Sequence, residues 1–383
     1  MNPRAITGIG VASALGTGRA AFLESMRGGA KASATDGRAE VPGFDPTKYL
    51  GDKGLRGLDR LTKLLIVAAR EALHDAGLKK DGSWSARGGD DVGIVVSNAY
   101  GSLEAITELD RVSILEDARY INPSRFPLTV ANSAAGYASI WEDIRAANVS
   151  VSDGNCGGLD AAACADVLLA QKRARAVLVC GAEAMSDALH LAFRRLGAVG
   201  SRAERAQTDT KAFLGEGAAV LVLEPSELAR ERSTDVMAEL VGYGTGFEAP
   251  PRESSLLHAS SDALQRAIAE ALSDAGVSPA DVDVVVSGVS GLRVFDEAEL
   301  VAIGRALGSD RCVLAPKLAL GETLGGGGTF GMLSALAVLR EAPRAPTPYA
   351  VRGALRTAPR TALVTSMGYY GNASAVVMRA AAR

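Results

Sequence analysis

Gly215-Glu-Gly-Ala-Ala-Val-Leu-Val-Leu-Glu224 is the stretch on which the reading of the fold turns. Two glycines bracket a carboxylate, and an unbroken apolar run from Ala218 to Leu223 follows. A short run that is apolar on consecutive residues reads as a strand covered on both faces. Taken locally, the string is a tight turn entering a core strand.

Working outward, similar runs occur at Val92–Ser97, Ala176–Gly181, Val282–Ser287 and Thr361–Ser366. Between them lie Ala-rich stretches with helical spacing, Leu58–Ala76, Leu159–Lys172, Leu257–Ala275, Glu297–Leu307 and Gly331–Leu339. Alternation of this kind predicts an α/β fold with helices packed on sheets. After the strand ending at Glu224 a polar stretch, Ser226 to Thr234, intervenes, and a second series of helix, strand and Gly-rich loop begins. The order hints at two similar halves, residues 1–235 and 236–383.

The chain has 383 residues, 48% apolar and 22% charged, enough for a large core. A net charge of −3 gives no global field for nucleic acid or an anionic membrane. No apolar run reaches the ~18 residues that a membrane span needs. Met1 to Gly16 reads as a first strand and turn rather than a signal peptide, being interrupted at Gly8, Gly10 and Gly16. Four cysteines, Cys156, Cys164, Cys180 and Cys312, show no CxxC spacing, so neither zinc nor a disulfide framework is indicated. A reducing cytoplasmic location fits.

Three further strings could carry chemistry. Ser152-Asp-Gly-Asn-Cys-Gly-Gly-Leu-Asp160 lies between a strand-like run and an Ala-rich helix. Such a junction gathers backbone N–H groups and the positive end of a helix dipole, a place suited to a nucleophile. A lone Cys there is equally a small buried hydrophobe. Gly321-Glu-Thr-Leu-Gly-Gly-Gly-Gly328 lets backbone pass close to a neighbour, and it lacks the Gly-Lys-Ser/Thr ending of a phosphate loop. Ser366-Met-Gly-Tyr-Tyr-Gly-Asn372 is a Gly-broken aromatic turn after a strand.

In this order and spacing the four strings resemble the β-ketoacyl synthase family of the thiolase superfamily. Ile6-Thr-Gly-Ile-Gly-Val11, Leu73-His-Asp-Ala-Gly-Leu78, Asn132-Ser-Ala-Ala-Gly136, Gly181-Ala-Glu-Ala184 and Lys317 extend the resemblance over nearly the whole chain. It implies a five-layer αβαβα thiolase-like fold built from two related halves, and a dimer.

The resemblance also implies a catalytic Cys-His-His set, and the matching positions hold other residues. Matching on Gly158-Leu159-Asp160 places Asn155 at the nucleophile; the same register sets Asn132 on the family's Asn and Pro127 on its Pro. Using Cys156 instead needs a slip of one residue, which at a helix start turns a side chain by roughly 100°. The first His, before a Gly-Thr-Gly-Thr turn, corresponds to Ser287, and the second to Glu322. Lys317 is retained. A Glu of the following helix corresponds to Gly331, and the gating Phe of the final turn to Met367. An amide cannot carry an acyl group as a thioester. The two histidines donate hydrogen bonds to the thioester oxygen as enolate charge develops; Ser287 has one such bond to offer, and an ionised Glu322 has none. A bare carboxylate about 4 Å from an oxyanion raises the barrier by roughly 4 kcal/mol at an effective dielectric near 20, about a thousandfold.

Asn-Cys-Gly-Gly-Leu-Asp resembles the Gln-Ala-Gly-Gly-Leu-Asp string of chain-length factors, the ketosynthase β subunits of type II polyketide synthases. The resemblance implies a non-condensing acyltransferase-family subunit of polyketide or polyene biosynthesis. It would pair with an active ketosynthase as a heterodimer and shape the acyl-chain tunnel. No bound cofactor is implied; the substrate rides on the phosphopantetheine arm of an acyl carrier protein. The segment from Ala99 to Phe126 should then lie near the interface, with Leu115, Tyr120 and Phe126 lining the tunnel or packing at the contact. Arg194, Arg195, Arg202 and Arg205 form a basic cluster suited either to an acidic carrier or to solvent. Two other readings stay open. One is a rebuilt acyltransferase, hydrolase or cyclase using Cys156 or Ser287 with Glu322; the other is a homodimeric scaffold or acyl-binding module without chemistry.

Overall fold

The computed structural model of the chain describes residues 1–200, 212–252, 255, 257–340, 347–355 and 358–381. The strands of its main sheet are β1 (Arg4–Ser13), β2 (Gly16–Thr17), β3 (Val92–Ser97), β4 (Asn148–Val151), β5 (Ala176–Glu183), β6 (Gly217–Pro225), β7 (Ala238–Phe247), β8 (Val284–Val286), β9 (Cys312–Leu314), β10 (Ala350–Arg352), β11 (Thr361–Met367) and β12 (Asn372–Ala380). They form one 12-stranded mixed sheet in the order β10-β9-β8-β11-β12-β7-β1-β6-β5-β3-β4, with β2 folded back on β1. Within it, β4-β3-β5-β6-β1 repeats as β9-β8-β11-β12-β7. Both series have a parallel portion joined to an antiparallel one. They meet where β1 and β7 run antiparallel, Arg4–Ile6 against Ala238–Leu240.

Side chains alternate faces along a strand, and the alternation sorts the core into layers. Val95, Val284, Val286, Val376 and Met378 face a central core. Ile94 and Val96 face an outer core on one side, and Val285, Ala375 and Val377 face another on the opposite side. The helices that concern the site are α1 (Arg19–Gly28), α2 (Arg60–Asp75), α3 (Leu103–Val112), α4 (Ser133–Glu142), α5 (Gly157–Ala170), α6 (Asp187–Arg195), α7 (Ser261–Ala275), α8 (Arg293–Leu307) and α9 (Gly327–Arg340). α5 and α9 supply Leu159, Ala162, Leu333 and Leu336 to the central core. α2 and α4 cover one outer face, α7 and α8 the other. This is the thiolase-like αβαβα arrangement that the resemblance implied.

The same device recurs in both halves. α2 ends Glu71-Ala-Leu-His-Asp-Ala-Gly-Leu78, and α7 ends Glu270-Ala-Leu-Ser-Asp-Ala-Gly-Val277. Beyond Ile6, β1 has left β7, and its amides on that side need other acceptors. Asp75 accepts from Ile9 N at 2.9 Å and Glu71 from Val11 N at 3.4 Å. On β7, Asp274 accepts from Tyr243 N at 3.0 Å and Glu270 from Thr245 N at 2.9 Å. The helices can lie this close because the strands alternate with glycine. A Cβ on Gly10 would come within 1.9 Å of the Ala68 carbonyl oxygen, and one on Gly244 within 2.2 Å of that of Ala267.

Several boundaries differ from expectation. α7 begins at Ser261 rather than Leu257, because the Ser260 hydroxyl caps it by accepting from Ala263 N. α9 begins at Gly327, inside the glycine run. There a Cβ on Gly328 would meet Leu159 N at 2.7 Å, so the glycines let α9 cross α5. β7 and β12 were not among the candidate strands; in β7 the glycines interrupt the apolar pattern. Among the described residues no helix is long and apolar enough to cross a membrane.

Candidate functional site

The strand-loop-helix junction after β4 delivers Asn155 on a short turn, Gly154–Cys156, ahead of α5. Gly154 makes the turn possible with φ +52°. The turn is seated on the end of β11: Ser366 Oγ donates to Asn155 O at 2.7 Å, and Asn155 Nδ2 reaches Met367 O at 3.5 Å. The two halves therefore meet at Asn155, the residue that the resemblance sets at the nucleophile position. Asn155 is 4% exposed, and its Oδ1 is buried without a hydrogen-bond partner.

Cys156 lies in the central region with no solvent exposure, its Sγ 3.6 Å from the Ser366 carbonyl oxygen. Burial, with Asp160 and Asp153 nearby, holds its thiol well above the usual range. The thiolate is the reactive form, and burial disfavours it at this position.

Ser287 follows β8 and is 3% exposed. Its hydroxyl donates to Leu314 O at 2.9 Å, and its amide donates to the same carbonyl at 2.8 Å. The proton that sequence reasoning offered to a substrate oxygen is thus spent on the neighbouring strand.

Glu322 sits in the Gly-rich loop, 1% exposed. Its Oε1 accepts from Lys317 Nζ at 2.8 Å and from Leu324 N at 2.9 Å. Gly327 makes room for the lysine, since a Cβ there would lie 2.7 Å from Nζ. The bare carboxylate of the sequence argument is therefore a buried ion pair. Its repulsion toward an oxyanion is offset by Lys317, and the ionised Glu322 itself offers no hydrogen bond. Thr323 Oγ1, one residue on, is buried without a partner.

The final turn corrects one expectation. Met367 does not face the site; it packs in the outer core with α7 and α8. The side chain that does is Tyr369. Its hydroxyl lies beside the Asn155 and Glu322 side chains, buried, with no hydrogen bond of standard geometry. Burial above all, and then the Glu322 carboxylate, push that hydroxyl far above the usual tyrosine range. The ring meets Phe295 edge-on, with centroids 5.0 Å apart at 66°. The sequence shows an aromatic two residues beyond the strand end in Met-Gly-Tyr, but not the direction in which its side chain turns.

Sequence reasoning also missed three carboxyls that fasten the loops around the site. Glu299 accepts from Gly288 N at 2.7 Å and Thr365 Oγ1 at 2.6 Å. Asp296 accepts from Ser290 N and Gly291 N at 3.0 and 2.9 Å. Glu183 accepts from Ala99 N at 2.8 Å and Gly325 N at 3.2 Å. Burial pushes Glu183 and Glu299 up to about 7. Asp296 and Glu299 are one turn apart on α8 and Glu183 ends β5, so only the fold brings the two stretches together.

The Ala99–Phe126 segment forms α3 and short turns on the surface. Ile114, Leu115, Tyr120 and Phe126 are 79%, 71%, 71% and 66% exposed, and Ile140 on the adjoining α4 is 75% exposed. Monomers rarely leave so many large apolar side chains in one region uncovered. β4 ends the sheet beside them with one edge unpaired. Arg195 is exposed and Arg194 pairs with Asp36 at 3.2 Å, while Arg202 and Arg205 lie outside the described residues. Among the described residues no group of three or more His, Cys, Asp or Glu side chains could hold a metal ion.

Known proteins resemble this chain in sequence and in fold. Residues 1–229 match the family described as β-ketoacyl synthase, N-terminal domain, and residues 237–349 the C-terminal domain of that family. A polyketide β-ketoacyl synthase 2 of Streptomyces halstedii is 31% identical over 411 residues, covering 98% of this chain and 96% of that protein. The 3-oxoacyl-(acyl-carrier-protein) synthase 2 of Vibrio cholerae is 30% identical over 302 residues, covering 76% and 72%. Among solved structures, the ishigamide ketosynthase/chain length factor superposes with a TM-score of 0.86 at 22% identity, over 100% of both chains. A type II polyketide acyl-carrier protein in complex with its ketosynthase gives 0.80 at 23%, again over 100% of both.

Proposed function

Since the chain belongs to the β-ketoacyl synthase family, we propose that it is a non-condensing subunit, a chain-length factor. It pairs with an active ketosynthase and shapes the acyl-chain tunnel in type II polyketide or polyene biosynthesis. The observation that carries this reading is the content of the site. An amide stands at the nucleophile position, and a Lys317–Glu322 ion pair at 2.8 Å fills the place of the second histidine. No acyl acceptor stands at that position, and neither of the two histidine donors of the family set is present.

The exposed Ile114, Leu115, Tyr120 and Phe126, with the open edge of β4, support a partner on that face. The substrate arrives on the phosphopantetheine arm of an acyl carrier protein bound to the assembled pair, and the chain itself holds no cofactor. A nucleophile rebuilt from Cys156 or Ser287 finds no support: the thiol is sealed, the hydroxyl is bonded to Leu314 O, and Glu322 is engaged with Lys317. The test is co-expression with a candidate ketosynthase, followed by a condensation assay on each species. The pair should co-purify and condense, and this chain alone should not. Condensation by the isolated chain would refute the proposal.

A further inference from the structure

His190 on α6 is 4% exposed and is bonded at both ring nitrogens. Nε2 lies 2.7 Å from the Asp36 carbonyl oxygen, which can only accept, so Nε2 carries the hydrogen. Nδ1 lies 3.0 Å from a terminal nitrogen of the Arg38 guanidinium, which can only donate, so Nδ1 must accept. The two partners together fix one neutral tautomer. A second proton would have to sit on Nδ1. It would face a guanidinium N–H, break that bond and set two positive charges against each other.

Asp36 and Arg38 belong to a tight hairpin. Thr35 N donates to Arg38 O at 2.9 Å and Arg38 N to Thr35 O at 3.0 Å, around Asp36 and Gly37 with φ of 51° and 79°. Arg38–Ala39 pairs in parallel with Leu214–Gly215; Leu214 N donates to Gly37 O at 2.8 Å and Glu216 N to Ala39 O at 3.1 Å. On the other side of Leu214–Gly215 runs the backbone of Glu322. Gly215 N donates to Glu322 O at 3.0 Å, and Glu322 N to Phe213 O at 2.7 Å. The hairpin is therefore the outer member of a small ladder whose inner member carries Glu322.

We propose that His190 is a pH latch: while neutral it holds the Thr35–Ala39 hairpin on α6, and in mildly acidic solution its protonation releases the hairpin and loosens the ladder that seats Glu322. The charged groups about the ring are Arg38 and Asp36 from the hairpin, and Asp187 and Arg194 from α6 itself. Arg38 also donates to Asp187 at 2.9 Å, and Arg194 to Asp36 at 3.2 Å. α3 packs on α6 as well, and its Glu104 bears on the Arg60 guanidinium. Of these side-chain types only an imidazole ordinarily changes charge between about pH 5 and 8.

The test is hydrogen exchange read by mass spectrometry on the full chain at about pH 7.5 and about pH 5.5, with rates corrected for the intrinsic effect of pH. In wild type, protection of peptides spanning residues 35–39 and 213–216 should fall roughly tenfold or more on acidification, relative to β6. Glu183 and Glu299, pushed up to about 7 by burial, make the fold as a whole more stable over that range, so a local loss has the opposite sign. His190→Gln keeps one donor and one acceptor without titrating, and its protection should not change with pH. His190→Ala should leave the hairpin open at both. Equal wild-type protection at the two pH values would overturn the latch, as would an equal fall in His190→Gln or a closed hairpin in His190→Ala. Nitrogen NMR of histidine-labelled wild type needs no His190 variant to fold. The ring should be the Nε2–H tautomer at about pH 7.5, and a proton on Nδ1 with the hairpin closed would overturn the latch.

Discussion

Lys317 Nζ lies 2.8 Å from Glu322 Oε1, with the two side chains only 4% and 1% exposed. A charge buried this deeply needs its partner, because the desolvation cost on either ion alone is not recovered elsewhere. Glu322→Ala should therefore destabilise the chain by about 3–5 kcal/mol by stranding the ammonium. The double change Lys317→Met with Glu322→Leu should recover most of that loss. Urea unfolding of the three proteins checks this, and a single-variant cost below about 1 kcal/mol would show that the pair is not held as described.

Cysteine reactivity tests the position of the sealed thiol. Cys156, Cys180 and Cys312 are buried, whereas Cys164 is partly exposed. Iodoacetamide on the folded chain should label Cys164 first and leave Cys156 unmodified until unfolding. Peptide mass mapping over a time course reads the order. Early labelling of Cys156 would place its sulfur in an open elbow, contrary to its contact with Ser366 O.

The exposed apolar segment should matter to assembly and little to the chain alone. Leu115→Asp and Phe126→Asp replace side chains that are 71% and 66% exposed. Each should shift the isolated chain's stability by no more than about 0.5 kcal/mol. Each should also abolish co-purification with the partner ketosynthase, by burying an unpaired charge in the contact. Retained assembly in both variants would move the interface elsewhere.

Stability should fall as pH rises toward neutrality. Glu183 and Glu299 are pushed by burial from 4.5 up to about 7. The folded chain keeps protons that the unfolded chain has released, so stability is greatest below about 4.5 for these two groups. It declines from there to about 7 and is level above. Each shift corresponds to about 3 kcal/mol. The double variant Glu183→Gln with Glu299→Gln should make the slope between those limits shallower, the remainder coming from Glu71 and Asp160, which burial likewise pushes up to about 7. Chemical denaturation midpoints at several pH values measure the slope, and an unchanged slope would contradict the assignment.

Much of this was legible in the residues themselves. The strands flanking the motifs are consecutive apolar runs, and matching Gly158-Leu159-Asp160 placed Asn155 where the two halves meet. The duplication was legible too, in Glu71-Ala-Leu-His-Asp-Ala-Gly and Glu270-Ala-Leu-Ser-Asp-Ala-Gly, but glycines inside β7 disguised the strand that each helix covers. The ion pair was half legible: both residues were singled out, yet only the loop brings Nζ to Oε1. Tyr369 was missed in favour of Met367 because the direction of a side chain at a glycine turn depends on backbone angles that no residue pattern encodes. Glu183 was hidden because its partners are backbone amides of distant loops, and Asp296 and Glu299 because they accept from the loop just before their own helix, a role that no residue pattern marks.

The measurement that bears most directly on the central claim is intact-protein mass spectrometry after incubation with acyl and malonyl carrier proteins. It is run on this chain alone and on the chain co-expressed with a ketosynthase. The account predicts acyl mass on the partner only, with the two proteins co-purifying. Acyl mass on this chain, lost on Cys156→Ala or Ser287→Ala, would contradict it and make the chain an enzyme with a rebuilt nucleophile.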